Sequence, residues 1–238
     1  METTAAGTVA LVGAGEFLPA IGQVDVMLLY RVPGTPRVVV LPTASAPDGP
    51  AVPDRWARMG VEHFSGLGAA VEPVLLRTRA DAEDPAIAAR IAAANFVYLS
   101  GGKPRYLIET LRNTPSWQAI VGVWAAGGVV AGCSAGAMAL VGQLLDFPRV
   151  WRTLPALGLV PGLAVIPHFD ELPRWRTGMA GRAGGATTVV GIDGSTALVG
   201  AGGAWQALGI GRVTVFTPKG RIVYRGGDPV PLALDGRG

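Results

Sequence analysis

The sequence predicts an α/β fold: a three-layer sandwich with a mostly parallel central sheet, helices on both faces and β-hairpins toward the C-terminus. Three observations predict it. Short β-branched runs recur along the first two thirds of the chain, and each opens onto a glycine-rich or small-residue turn. Helical stretches follow most of those turns, which is the alternation of a parallel sheet. No linker, repeat or composition shift divides the 238 residues, so residues 1–238 read as a single domain with a sizeable core.

The elements follow in order. Thr8–Val12, Arg37–Leu41, Ala70–Leu76, Asn95–Leu99 and Gly127–Ala131 read as strands. Pro53–Leu67, Asp84–Ala94, Pro104–Arg112, Ser116–Ala126 and Ala135 to about Leu144 read as helices, with Asp84 as a cap and Pro85 in the first turn. The last third holds shorter runs: Gly162–Ile166, Thr187–Ile192, Thr196–Gly200, Ala204–Leu208, Arg212–Phe216 and Arg221–Tyr224. These are expected to continue the sheet and then form hairpins at one edge.

Composition excludes several classes. Half the residues are apolar and 16% are charged, so the chain folds. The net charge of +3 comes from scattered arginines, not from the basic stripe that nucleic acid requires. A single cysteine, Cys133, excludes an internal disulfide and fits a cytoplasmic protein. Met1–Gly7 has neither the basic nor the apolar part of a signal peptide, and no apolar run approaches the ~18 residues of a membrane span.

Gly132-Cys133-Ser134-Ala135-Gly136 sits between a strand-like and a helical run. Glycines two residues either side of a nucleophile permit a sharp turn that lifts its side chain off the sheet edge. The helix that follows aims N–H groups at a developing oxyanion. The pattern makes Ser134 the nucleophile and turns Cys133 into packing, although a thiol is intrinsically the stronger nucleophile.

A serine needs a base. Of the two histidines, His63 reads as a solvated helix residue, and His168 follows a strand, so His168 is the candidate. The N–H groups of Ala135 and Gly102 are the candidate oxyanion donors. For the orienting acid, Asp146 and Asp193 both remain open, and Asp170 and Glu171 read as loop or helix-start residues. Lys103, Arg174, Arg176 and Arg182 suit an anionic substrate group.

Taken as an ordered set, several segments resemble peptidase family S51, that of cyanophycinase and aspartyl dipeptidase E. They are Gly13-Ala-Gly-Glu16, Pro42-Thr-Ala-Ser45, Ser100-Gly-Gly102, Gly132-Cys-Ser-Ala-Gly-Ala137, Pro167-His-Phe169, Gly191-Ile-Asp193 and Thr196-Ala-Leu198. The resemblance implies a class I glutamine amidotransferase-like fold, and a serine peptidase acting on small peptides or isopeptide-like bonds beside acidic residues. It implies Ser134 as nucleophile, His168 as base and Gly102 and Ala135 at the oxyanion hole, with no cofactor or metal. Expected partners are a small peptide substrate and a second copy in a homodimer, with no nucleic acid and no membrane.

The chain also departs from the family's pattern. Gly101-Gly-Lys-Pro104 replaces the Gly-Gly-Asn-Gln of cyanophycinases, and Gly194 stands where they carry a glutamate. Asp146-Phe-Pro148 resembles the dipeptidases' Asp-x-Pro segment, at a spacing a few residues shorter, which favours Asp146 over Asp193. Two other readings stay open: a catalytically degenerate protein that binds a small ligand, and a Cys133-dependent amidase.

Overall fold

Runs rich in β-branched and apolar residues become parallel strands, buried on both faces except in β3 at the sheet edge. In a computed structural model that describes residues 7–145, 153–173, 187–232 and 234, these are β1 (Thr8–Val12), β2 (Arg37–Leu41), β3 (Ala70–Pro73), β4 (Phe96–Leu99) and β5 (Val129–Cys133). They lie in the order β1-β5-β4-β2-β3, all parallel. The register aligns Val12 with Cys133, Gly132 with Leu99, and Leu99 with Leu41. The residues that follow these strands therefore share one edge of the sheet.

The helices are α1 (Gly22–Leu29), α2 (Ala51–Gly66), α3 (Arg79–Glu83), α4 (Pro85–Ala92), α5 (Pro104–Leu111), α6 (Pro115–Ala125) and α7 (Ala135–Leu140). Alternation along each strand divides the core in two. Val9, Leu11, Val39, Leu41, Val97 and Leu99 meet Ile91 of α4, Leu107 of α5 and Ile120 of α6. Val12, Val38, Val40, Phe96 and Tyr98 meet Val24 and Leu28 of α1 and Phe64 of α2. Helix starts follow their capping residues: Asp84 accepts from the Ala86 N–H ahead of α4, and Thr114 accepts from the Trp117 N–H ahead of α6, each with proline next in line.

The remaining strands are β6 (Gln143–Leu145), β7 (Thr153–Pro155), β8 (Leu163–Ile166), β9 (Thr188–Ile192), β10 (Thr196–Ala201), β11 (Ala204–Gly209), β12 (Arg212–Thr217) and β13 (Gly220–Arg225). Two expectations are corrected here. First, β8 and β9 do not extend the main sheet. The edge beside β1 is taken by β10, antiparallel, with β11 completing a hairpin. β8 and β9 pair in parallel and join the β12–β13 hairpin in a separate four-stranded sheet. Second, α7 stops at Leu140, because Val141 is extended (ψ 177°) and bridges to Val160; β6 and β7 then pair.

His63 is not a solvated helix residue. Its Nε2 lies 2.8 Å from Oδ2 of Asp25, whose side chain is fully buried. The pair ties α2 to α1. Burial pushes the Asp25 carboxyl above its ordinary value of 3.8, and the His63 hydrogen bond and charge oppose that rise. Removing His63 leaves the buried Asp25 carboxyl without its side-chain partner, so His63→Ala should lose about 3 kcal/mol in urea unfolding near neutral pH. A raised folded pKa means the native state binds the extra proton, so stability falls as pH rises through it. Without His63 the folded Asp25 carboxyl rises further, so the deficit should shrink as pH drops through the variant's higher value and level off at the parent's.

Candidate active site

The site gathers where β1, β4 and β5 end. Ser134 adopts φ 50° and ψ −107°, a conformation that L-residues rarely occupy and that costs on the order of 1–3 kcal/mol. The flanking glycines make the turn possible. A Cβ on Gly132 would lie 2.5 Å from the Gly136 carbonyl carbon, and one on Gly136 would lie 2.2 Å from the Leu99 oxygen. The Ser134 N–H donates to the Val12 carbonyl at 2.9 Å, which fastens the turn to β1.

His168 follows β8 and Pro167 in a left-handed conformation (φ 51°, ψ 38°), and its N–H donates to the Gly13 carbonyl at 3.4 Å. The side chains of the two residues then meet: Ser134 Oγ lies 3.1 Å from His168 Nε2. Both are partly exposed, as an approaching substrate requires. His168 Nδ1 lies 3.1 Å from Glu171 Oε1, across a short 3-10 turn at Phe169–Glu171.

Gly102 has φ 141°, and a Cβ there would stand 2.3 Å from the Ala44 oxygen. Lys103 N donates to that same oxygen at 2.7 Å, which holds the loop after β4 in place. Among the described residues, the Gly102 N–H donates to no backbone carbonyl. Ala135 is the first residue of α7, a position whose N–H has no acceptor within its helix. Two unspent donors therefore stand at the site, one on the loop after β4 and one at the start of α7.

The other candidate residues are placed differently. Asp193, read as an alternative acid, is instead taken up by Arg212. Its Oδ2 accepts from Arg212 N at 3.1 Å and Nε at 2.9 Å, because the side chain turns toward the start of β12. Among the described residues, Glu171 is the carboxylate that meets the imidazole, and the spacing His-x-x-Glu across a tight turn was the signal available for it. Asp146, Arg174, Arg176 and Arg182 lie outside the described residues. Lys103 Nζ stands 3.4 Å from Asp48 Oδ1 in an exposed pair. A polar cavity of about 380 Å³ begins one residue past His168, lined by Phe169, Asp170, Leu172, Asp193, Arg212 and Arg221 among others.

Cys133 is fully buried. Desolvation and the neighbouring Glu16 carboxylate push its thiol well above the ordinary range. Among the described residues, no cluster of three or more His, Cys, Asp or Glu side chains is arranged to hold a metal ion. No helix there is long and apolar enough to cross a membrane.

Fold and site together define an α/β protein whose functional groups stand at the carboxyl edge of a parallel sheet. The chain belongs to peptidase family S51, whose model matches residues 11–208, and by family it is a peptidase. It is 30% identical over 227 residues to the cyanophycinases of Synechococcus elongatus and Thermosynechococcus vestitus, an overlap covering 90% of this chain and 69% of each relative. A crystal structure of a peptidase from an acI-B1 Actinobacterium matches with a TM-score of 0.88 at 30% identity, over 97% of this chain and 98% of that one. A putative peptidase E from Listeria monocytogenes EGD-e matches at 0.62 and 19% identity, over 93% and 99%, and shares the fold.

The burial of Cys133 predicts an inert thiol. Iodoacetamide at pH 8 should leave the folded protein unmodified by intact mass, and should add one adduct after denaturation in guanidinium.

Proposed function

We propose that the chain is a serine-type peptidase of small peptides in which Ser134, His168 and Glu171 act as nucleophile, base and orienting acid. The observation that carries this reading is the 3.1 Å contact of Ser134 Oγ with His168 Nε2 at a strained strand-to-helix turn. Ser134 Oγ attacks the scissile carbonyl carbon and gives its proton to His168 Nε2. The oxyanion lies between the Gly102 and Ala135 N–H groups. The C–N bond breaks as His168 returns the proton to the leaving amine. Water, deprotonated by His168, then releases the acyl group. Glu171 accepts from His168 Nδ1–H and thereby fixes the tautomer that leaves Nε2 free to act as base.

The same contact argues against a degenerate binding protein, which has no need to hold a hydroxyl against an imidazole. The burial of Cys133 argues against a thiol amidase. For substrate class, small peptides with an acidic end fit best. Lys103 is held by an exposed ion pair worth little, from which a substrate carboxylate can take it. Arg221 lines the cavity beside the His168 turn, where Arg212 is already bonded to Asp193.

A panel of α- and β-aspartyl dipeptides tests this. Ser134→Ala and His168→Ala should each lower kcat/KM by about 10³-fold or more, and the double variant should be no worse than either. Glu171→Ala should cost about 10- to 100-fold. That is less than the ~10⁴-fold expected for a buried triad acid, because Glu171 is 64% exposed and water can replace it. A Ser134→Ala protein as active as the parent defeats the reading.

A further inference from the structure

Gly13-Ala-Gly-Glu16 opens the loop after β1, and its glutamate has no part in the chemistry above. Glu16 is only 7% exposed. A buried carboxylate is costly unless donors meet both its oxygens. Here they do: Oε1 accepts from the Gly101 N–H at 2.9 Å, and Oε2 accepts from the Cys133 S–H at 2.9 Å.

The two donors come from different segments, the loop after β4 and the end of β5. Gly101 immediately precedes Gly102, and Cys133 immediately precedes the Ser134–Ala135 turn. One side chain thus spans the two segments that present the unspent N–H groups. The fit is close, since a Cβ on Gly101 would come within 2.8 Å of Glu16 Oε1 and 3.5 Å of Ser134 Cβ. The backbone of the same loop anchors the rest of the site. Val12 O holds Ser134 N, Gly13 O holds His168 N, and Ala14 O holds Ser195 N.

We propose that Glu16 is a positioning residue: a clasp whose two oxygens set the spacing between the Gly102 and Ala135 N–H donors, and so shape the oxyanion hole. The inference rests on the serine-peptidase reading above. Its content is reach, not charge. A negative charge beneath a developing oxyanion opposes catalysis, so the carboxylate serves as two acceptors pointing in two directions. Glutamine keeps the length, accepts from Gly101 through its oxygen and meets the Cys133 sulfur with its amide. Aspartate keeps the charge but is one methylene too short to span both segments.

Diisopropyl fluorophosphate provides the test. Ser134 Oγ forms a bond to phosphorus, fluoride departs, the serine proton passes to His168, and the phosphoryl oxygen occupies the oxyanion position. Labelling rates are followed by intact mass and the label is located by peptide mapping. Glu16→Gln should label within roughly 5-fold of the parent. Glu16→Asp and Glu16→Ala should slow by about 30-fold or more in the maximal rate, with the half-saturating reagent concentration within roughly 3-fold. The clasp is overturned if Glu16→Asp keeps the parent rate while Glu16→Gln loses it, or if a folded Glu16→Ala labels as fast as the parent. Should Glu16→Ala fail to fold, the Gln and Asp variants decide between them. A parent that does not label at Ser134 overturns the serine reading and this one with it. That outcome is distinct from a parent that labels normally alongside an equally fast Glu16→Asp.

Discussion

The hydrogen bond from the Ser134 N–H to the Val12 carbonyl holds a strained residue at the end of the central strand pair. Ser134 sits where few L-residues stay, and three local features keep it there. Gly132 and Gly136 vacate the space that Cβ atoms would fill against the turn and against Leu99. The aligned register of β1 and β5 brings Val12 opposite Cys133, so the carbonyl is in place. The start of α7 then continues from a turn whose hydroxyl already faces outward.

From that point the loop after β1 acts as a frame. Successive carbonyls of Val12, Gly13 and Ala14 take the N–H groups of Ser134, His168 and Ser195, and Glu16 takes those of Gly101 and the Cys133 thiol. Segments far apart in sequence are brought to one short strand end. His168 is 34 residues from Ser134, and Glu16 is 85 from Gly101. The strand edge supplies rigidity, and the connecting segments bring Ser134, His168 and Glu16 to it.

The sequence made much of this legible, because the relevant signals are local. Glycines spaced two residues either side of Ser134 encode its turn, and β-branched runs encode the parallel strands. Asp84-Pro85 encodes the start of α4. The partition of the last third into two sheets was not legible. β8 and β9 carry the same apolar pattern as the main strands, and only long-range pairing with β12 tells them apart. His63 read as solvated because its partner Asp25 lies 38 residues away. Glu171 read as a loop residue and Asp193 as an alternative acid for a similar reason: side-chain direction decides which of the two meets the imidazole, and Arg212 takes Asp193, while Asp146 lies outside the described residues.

A crystal structure with a bound peptide boronic acid reports most directly on whether Ser134 and its neighbours form an acyl-transfer site. Boron should be bonded to Ser134 Oγ, with one boronate oxygen within about 3.1 Å of both the Gly102 and Ala135 nitrogens and His168 Nε2 facing the Ser134 oxygen. A boronate bonded to another residue, or to Ser134 with its oxygens turned away from those two N–H groups, would contradict it.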